Sequence, residues 1–295
     1  MTVYNFGSIN IDQVYRVPHL VGPGETLASE SLETVLGGKG ANQSVALARA
    51  GVDVKHIGKV GSADKWVVDL LSEYGVDTSG IGLVDAPSGH AIIQVDNSGE
   101  NAIVLHGGTN QSFDASTLDA ALSNGQSGDW LLLQNECNAL ADAFSIAKNR
   151  KMHVAFNPAP MTDAVKHLPL DQCRLLILNE VEARHLSGED DVQSVLSALQ
   201  QRYPNVMLVV TLGAAGATLL HSGEWISKKV PTVNVVDTTG AGDTFVGYLL
   251  AGMLGNHSVE NALQQACDAG AIAVTRVGAT PSIPTLDQVE RLRLG

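Results

Sequence analysis

Short apolar runs and amphipathic stretches alternate along this chain almost from end to end. Residues 3–9, 54–57, 130–134, 153–156, 175–178, 206–211 and 233–236 are dense in apolar side chains, and each predicts a buried strand. Between them the spacing turns helical. Residues 64–74 place Trp66, Val67, Leu70, Leu71 and Tyr74 on one face, with Gly75 as the stop. Residues 244–254 do the same with Phe245, Val246, Leu249, Leu250, Met253 and Leu254. This alternation predicts an α/β fold in three layers, a central and mostly parallel sheet with helices on both faces. Ligands in such folds gather at the carboxyl ends of the strands.

Two segments break the rhythm. Ala91-Ile-Ile-Gln-Val95 and Asn101-Ala-Ile-Val-Leu105 flank Asp96-Asn-Ser-Gly99, which predicts a β-hairpin with a four- or five-residue loop. Residues 12–36 carry Pro18, Pro23 and short β-prone stretches without a helical period. Together, at about 12–36 and 88–107, they predict a small sheet projecting from the main body, either a lid over a site or an edge hairpin. Ile92, Val95, Ile103 and Leu105 give it an apolar face that needs covering, and a second copy of the sheet would cover it. No repeat or linker divides the chain, so residues 1–295 read as a single domain with a lid.

The chemistry concentrates in glycine turns that open helices. Asp237-Thr-Thr-Gly-Ala-Gly-Asp243-Thr-Phe follows a predicted strand and precedes a helix. Its glycines permit a tight turn and leave the first helical N–H groups bare, which with the helix dipole makes a seat for an anion. Asp243 beside that seat reads as a group that orients and deprotonates a hydroxyl attacking a phosphate, or as an acid favoured in a first helical turn. Gly37-Gly38-Lys39-Gly40-Ala41-Asn42 opens a second helix, closed by Gly51, with Lys39 the only charge in its loop. Gly40 stands where a P-loop needs Ser or Thr, and Phe245 where a dinucleotide fingerprint needs Gly or Ala. Phosphate chemistry is expected without either common nucleotide loop.

Charge narrows the ligands. A net charge of −13 disfavours nucleic acid, whose binding rests on clustered Lys and Arg. It fits a cytoplasmic protein handling small ligands, with positive charge supplied locally. Cys137, Cys173 and Cys267 are too scattered for a disulfide framework or a zinc knuckle. The N-terminal residues lack the basic start of a signal peptide. The apolar run at 206–220 is broken by Gly213 and Gly216 and falls short of the roughly 18 residues of a membrane span, so no membrane partner is expected.

With these stretches in place, the chain resembles the ribokinase-like (PfkB) carbohydrate kinases over essentially its whole length. The resemblance rests on Gly7-Ser-Ile-Asn10-Ile-Asp12, Gly24-Glu-Thr26, Gly37-Gly-Lys-Gly-Ala-Asn42, Asn157-Pro-Ala-Pro160, Asn179-Glu-Val-Glu182-Ala, Thr211-Leu-Gly213, the Asp237–Phe245 motif and Ala273-Val-Thr-Arg-Val-Gly-Ala-Thr-Pro-Ser282, all in the family's order. It implies an ATP-dependent sugar kinase acting on the 5-hydroxyl of D-ribose, with deoxyribose, fructose or a nucleoside as alternatives. A non-catalytic sugar-binding protein is disfavoured by the intact Asp243.

By the same resemblance Asn10, Asp12, Gly38, Lys39, Asn42, Glu136 and Asp243 would line the sugar pocket. Asp243 would be the base, and the N–H groups from Gly240 to Asp243, through Ala241 and Gly242, the anion hole. Asn179, Thr211, Leu212, Gly213, Ala214, Ala215, Gly216, Gly242 and Cys267 would bound the ATP site. Asn179 and Glu182 would hold magnesium through water, or simply cap a helix. Asp237, Thr239, Ala273, Arg276, Gly278 and Ser282 would hold potassium, mostly through backbone carbonyls, or form a loop packed beneath the anion hole. Asn10 and Asp12 alone would also suit an Asx turn, and Glu136 a cap on the helix after residues 130–134. A homodimer through the lid sheet is implied as well.

Three positions depart from the family pattern. Gly61-Ser-Ala-Asp-Lys-Trp66 stands where Gly-Asp-Asp-x-x-Gly is usual, Leu178 replaces a common Pro, and Cys267-Asp268 lies where an Asn or His often faces adenine. Each bears on sugar or nucleotide preference, none on the catalytic residues.

Overall fold

A computed structural model describes residues 1–255 and 257–294. The first third of the chain folds as β1 (Val3–Phe6), β2 (Asn10–Arg16), β3 (Ser31–Gly37), α1 (Lys39–Arg49), β4 (Val54–Gly61), α2 (Lys65–Glu73), β5 (Asp77–Val84), β6 (Gly89–Val95) and β7 (Asn101–His106). The middle adds α3 (Ala115–Ala121), β8 (Trp130–Gln134), α4 (Leu140–Arg150), β9 (His153–Asn157), β10 (Cys173–Asn179), α5 (Glu180–Ser187) and α6 (Val192–Arg202). It closes with β11 (Met207–Thr211), β12 (Ala217–His221), β13 (Glu224–Lys228), α7 (Ala241–Leu254), α8 (Val259–Ala273) and α9 (Leu286–Leu294).

Nine strands form one sheet in the order β13-β12-β11-β10-β9-β8-β1-β4-β5. Every pair from β11 to β5 is parallel, and β12 and β13 add an antiparallel edge. Because strand side chains alternate, neighbours along one strand enter different cores. Leu132, Ala155, Ile177 and Val209 pack with α1, α7 and α8, whereas Leu131, Leu133, Phe156, Leu176 and Val210 pack with α4 and α6. Burial on both faces explains why these strands read as continuous apolar runs.

The strand expected at residues 3–9 is shorter than its apolar run. β1 ends at Phe6, the chain turns through Gly7-Ser8-Ile9, and Asn10 begins β2 in a second sheet of order β3-β2-β6-β7. The hairpin β6–β7 and the strands bounding the 12–36 segment therefore do form the small sheet the alternation predicts. Its apolar residues do not share one face. Strand register puts Val95, Ile103 and Leu105 on the side that carries Asp12, and Ile92 on the other side with Val104 and Leu32.

Two further expectations change. Residues 233–236 form no strand: Val235 and Val236 are exposed, and the segment attaches to the end of α8 through Val236 N–H, which donates to the Val274 carbonyl (2.8 Å). An apolar run signals burial or a binding wall alike, and period cannot separate them. On α2, Val67 and Leu71 are fully buried while Trp66 is 39% exposed at the first turn. Helix α7 exceeds its expected single face, being buried without a break from Asp243 to Gly252.

Candidate active site

The carboxyl ends of β1, β8, β9, β10 and β11 converge, and the chain sets polar side chains there: Asn5 in β1, Gln134, Asn157, Asn179 and Thr211. Above them sits the N-terminus of α7. Gly240 takes φ +74°, the left-handed conformation that turns the chain into the helix, and a side chain there would collide with Ala279. Ala241 N–H bends back to the Thr238 carbonyl at 3.3 Å, and Thr244 N–H bonds Gly240 at 2.8 Å. The N–H groups of Gly242 and Asp243 between them have no acceptor among the described residues. The bare seat is therefore centred on Gly242 and Asp243, with Ala241 partly engaged.

Asp243 is almost wholly buried, and both carboxylate oxygens are held from α1. Asn42 Nδ2 donates to Oδ2 (2.9 Å) and Gln43 Nε2 to Oδ1 (2.9 Å). Burial pushes the Asp243 pKa above the ordinary carboxylate range, against the opposing pull of Lys39 and of these two hydrogen bonds. Burial also works against the Lys39 charge, yet Asp243, Glu136 and Glu182 outweigh it and keep the ammonium protonated. Lys39 and Asp243 line a cavity of about 240 Å³ with Asn157, Asn179, Glu182 and Gly242.

A second cavity, of about 410 Å³, opens alongside and shares Thr211, Thr238 and Gly242 with the first. Its walls are chiefly apolar, from Val230, Val233, Val235, Phe245, Cys267 and Val274. A long ligand lying in both would present its polar end to Asp243 and its flat apolar end to the larger groove.

On the other side of Asp243, β2 brings Asn10 and Asp12 over the start of α1. Asp12 lies so close to Gly37 that any side chain there would strike its carboxylate. Burial, and then the nearby Glu136 carboxylate, push Asp12 up to about 6. Glu136 accepts from Ser8 Oγ and from Lys39 N–H (3.0 Å), so it caps α1. The cap is on a different helix from the one expected. Asn110, which no motif singles out, is 2% exposed and fixes Asn10 by donating to its Oδ1 (2.8 Å).

A family model described as pfkB family carbohydrate kinase matches residues 2–286. The chain belongs to that family. It is 36% identical to a ribokinase of Haemophilus influenzae, over 96% of this chain and 95% of the relative. The fold superposes on a Cryptococcus neoformans ribokinase in complex with ADP (TM-score 0.87, 33% identity, 99% of each chain). It also matches an Arabidopsis thaliana ribokinase complexed with ribose and ATP (TM-score 0.86, 28% identity, 98% of this chain and 97% of that one).

Within this carbohydrate kinase the sequence-derived residues fall into clear groups. Asn10, Asp12, Gly38, Lys39, Asn42, Glu136 and Asp243 are linked by direct contacts or close charge interactions, and Lys39 and Asp243 line the smaller cavity. Thr211, Gly213, Ala214, Gly216, Gly242 and Cys267 line the larger groove. Leu212 and Ala215 are absent from its wall, and Asn179 faces the smaller cavity. The groove's other wall is the 230–235 segment, whose apolar run is legible in the sequence but reads there as a strand. Asp268 turns away to bond Gln264 (2.8 Å) and approach Arg293 of α9.

The two metal expectations meet different surroundings. Asn179 and Glu182 form a full capping box on α5: Glu182 N–H donates to Asn179 Oδ1 (2.8 Å) and Asn179 N–H to Glu182 Oε2 (2.9 Å). Glu182 keeps its Oε1 without a partner among the described hydrogen bonds, inside the smaller cavity, and burial raises its pKa. One free oxygen on a buried carboxylate fits a hydrated hard cation, though no group of three or more His, Cys, Asp or Glu ligands occurs among the described residues. Segments 237–239 and 273–282 do come together. Asp237 accepts from Thr239 N–H and Oγ1 with one oxygen and from Gly278 N–H with the other. Its carboxylate thus fastens the two loops.

Proposed function

We propose that this kinase transfers the terminal phosphoryl group of ATP to the 5-hydroxyl of ribose. The observation that carries the reading is the position of Asp243 and the bare Gly242 and Asp243 N–H groups, where the phosphate-sized cavity joins the long apolar groove. The nucleotide would lie in the groove with its phosphates directed at α7, and the sugar would enter beneath the lid sheet. Relatives named as ribokinases, one solved with ribose and ATP, support that assignment.

In this reading Asn10, Asp12, Asn42 and Glu136 bond the sugar hydroxyls, a set that rewards a free sugar over a nucleoside whose base needs an aromatic partner. Asp243 holds the attacking hydroxyl in line and accepts its proton as the bond to phosphorus forms. The transition state of such a transfer is loose, so orientation matters more than early proton removal. The bare N–H groups and Lys39 take up charge on the migrating group, the larger part of the acceleration. Glu182, with Asn179 beside it, would hold a magnesium ion through water, to offset phosphate charge. The carbonyls of Ala273, Arg276, Gly278 and Ser282, with Asp237 and Thr239, would hold potassium, adding positive charge beneath the seat.

The lid face bearing Ile103 and Leu105 would meet its counterpart in a second copy, since both residues are more than half exposed. No described helix is long and apolar enough to cross a membrane, and we place the dimer in the cytoplasm.

The deciding experiment is Asp243→Asn. The asparagine still bonds a hydroxyl but accepts no proton, so kcat should fall by about 10²–10⁴-fold with ribose binding nearly intact. Turnover close to that of the parent enzyme would remove Asp243 from the mechanism. A panel of pentoses, hexoses and nucleosides assayed with ATP tests the sugar, and a nucleoside preferred over ribose would overturn it.

A further inference from the structure

A chain of buried side-chain hydrogen bonds runs through the floor of the site, and its donors point outward in both directions from the Gln134 amide nitrogen. His56 is fully buried, and burial lowers it to about 4, so the ring is neutral. Its Nε2 faces the Gly7 carbonyl (3.1 Å), which makes Nε2 the donor and leaves Nδ1 to accept from Ser44 Oγ (2.8 Å). Ser44 Oγ in turn accepts from Asn5 Nδ2 (2.8 Å). Asn5 Oδ1 accepts from Gln134 Nε2 (2.9 Å), and the same amide nitrogen donates to Gln43 Oε1 (2.7 Å). Gln43 is left with its nitrogen outward, donating to Asp243 Oδ1 (2.9 Å) and to Asn157 Oδ1 (3.1 Å). Asn157 is fixed by its own donation to the Ile177 carbonyl (3.0 Å).

An amide turned over at Gln43 would set its oxygen against Asp243, against Asn157 Oδ1, and its nitrogen against the Gln134 donor. Three bonds would become three repulsions at a side chain that is fully buried. The orientation of Gln43 is therefore imposed by residues in β1, β8 and β9, none of which hydrogen-bonds Asp243 itself. Asn42 supplies the other clamp. Its Nδ2 holds Asp243 Oδ2, and its Oδ1 accepts from Thr280 Oγ1 (2.8 Å).

We propose that Gln43 is a positioning residue for Asp243, and that Gln134 acts through it by fixing which end of the Gln43 amide faces the carboxylate. The proposal rests on Asp243 being the group that orients the sugar hydroxyl. Gln43 meets neither cavity, so it acts on turnover and not on ligand contact. A carboxylate free to swing by about 1 Å loses its alignment with the attacking oxygen, which costs on the order of 10–100-fold. The Gln43 bond also favours the ionised form, so its removal moves the protonation of Asp243 to higher pH.

The test uses Gln43→Met, which keeps the length and removes the amide, and Gln43→Glu, which keeps the acceptor for Gln134 but places a second acid against Asp243. Gln134→Met is the third variant, and Asp243→Asn the background for a double mutant. For Gln43→Met, kcat should fall about 10–100-fold with the KM for ribose within about twofold, and the acid limb of kcat/KM should shift to higher pH. Gln43→Glu should shift that limb further, because two adjacent acids retain a proton. Gln134→Met should show the same shift in smaller degree, and it supplies the result if the Gln43 variants do not fold. In the Asp243→Asn background, Gln43→Met should cost almost nothing more. An unmoved acid limb, a loss carried only by KM, or an equal cost in both backgrounds would overturn the proposal. If Asp243→Asn itself proves harmless, the reading of Asp243 falls and takes this one with it. A crippled Asp243→Asn alongside an unmoved limb in Gln43→Met refutes the positioning role alone.

Discussion

Asp12 is caught between folding and recognition. Burial, with Glu136 close by, raises it to about 6, well above the ordinary value of 3.8. Below about pH 3.8 the group is protonated in both folded and unfolded chains and fully compatible with the fold. As pH rises through 6 the buried carboxylate ionises at a cost, and stability is lost. Asp12→Asn should therefore raise the melting temperature at pH 8 by a few degrees, on the order of 2–3 kcal/mol, and leave it unchanged near pH 4. In calorimetry, equal gains at both pH values would contradict the assignment of that strain to Asp12. Ribose should bind the same variant more weakly, because the amide accepts fewer hydroxyls. At this scale the sequence was only partly legible. Asp243, Lys39 and Asn42 stand in glycine motifs whose spacing betrays them. Asn110 and Gln43 owe their roles to partners 100 and 200 positions away, and nothing local marks them.

Among the elements, the hairpin was legible because its alternation and its Asp96-Asn-Ser-Gly99 turn both follow from the chain itself. Which residues share a face was not, since that depends on register against β2. The run at 233–236 misled for a related reason: apolar density records the absence of water, whether a strand or a ligand excludes it. The structure leaves β7 exposed at every position, including Ile103, Val104 and Leu105. A lone sheet of four strands does not remain monomeric comfortably with that surface wet. Light scattering at micromolar concentration should give a dimer. Ile103→Lys with Leu105→Lys should give a monomer, with secondary structure intact by circular dichroism. A parent protein that scatters as a monomer would refute pairing through the lid.

At the scale of the whole molecule, a body of net charge −13 must admit an anionic nucleotide. Positive charge at the site is local, from Lys39 and the start of α7, and acts only over a few ångströms. The repulsion from the rest of the surface acts over a Debye length, about 10 Å at 0.1 M salt. Raising ionic strength with tetramethylammonium chloride, which spares the proposed potassium site, should increase kcat/KM for ATP up to about 0.2 M. A steady decrease from the lowest salt would mean that local attraction governs capture.

Helix α7 has a consequence beyond the anion seat at its tip. It is enclosed on all sides from Asp243 to Gly252, packed between α1 and α8, while the lid hangs on the Gly7-Ser8-Ile9 turn with an exposed outer strand. Local opening follows burial, so the two halves of the site belong to different tiers of the unfolding hierarchy. Amide protons in α7 should be the last to exchange with deuterium and those of β7 among the first. Under rising urea the enzyme should stop retaining sugar well before its central fluorescence and circular dichroism change. What remains in that interval is an ordered phosphate-binding floor whose roof has already come loose.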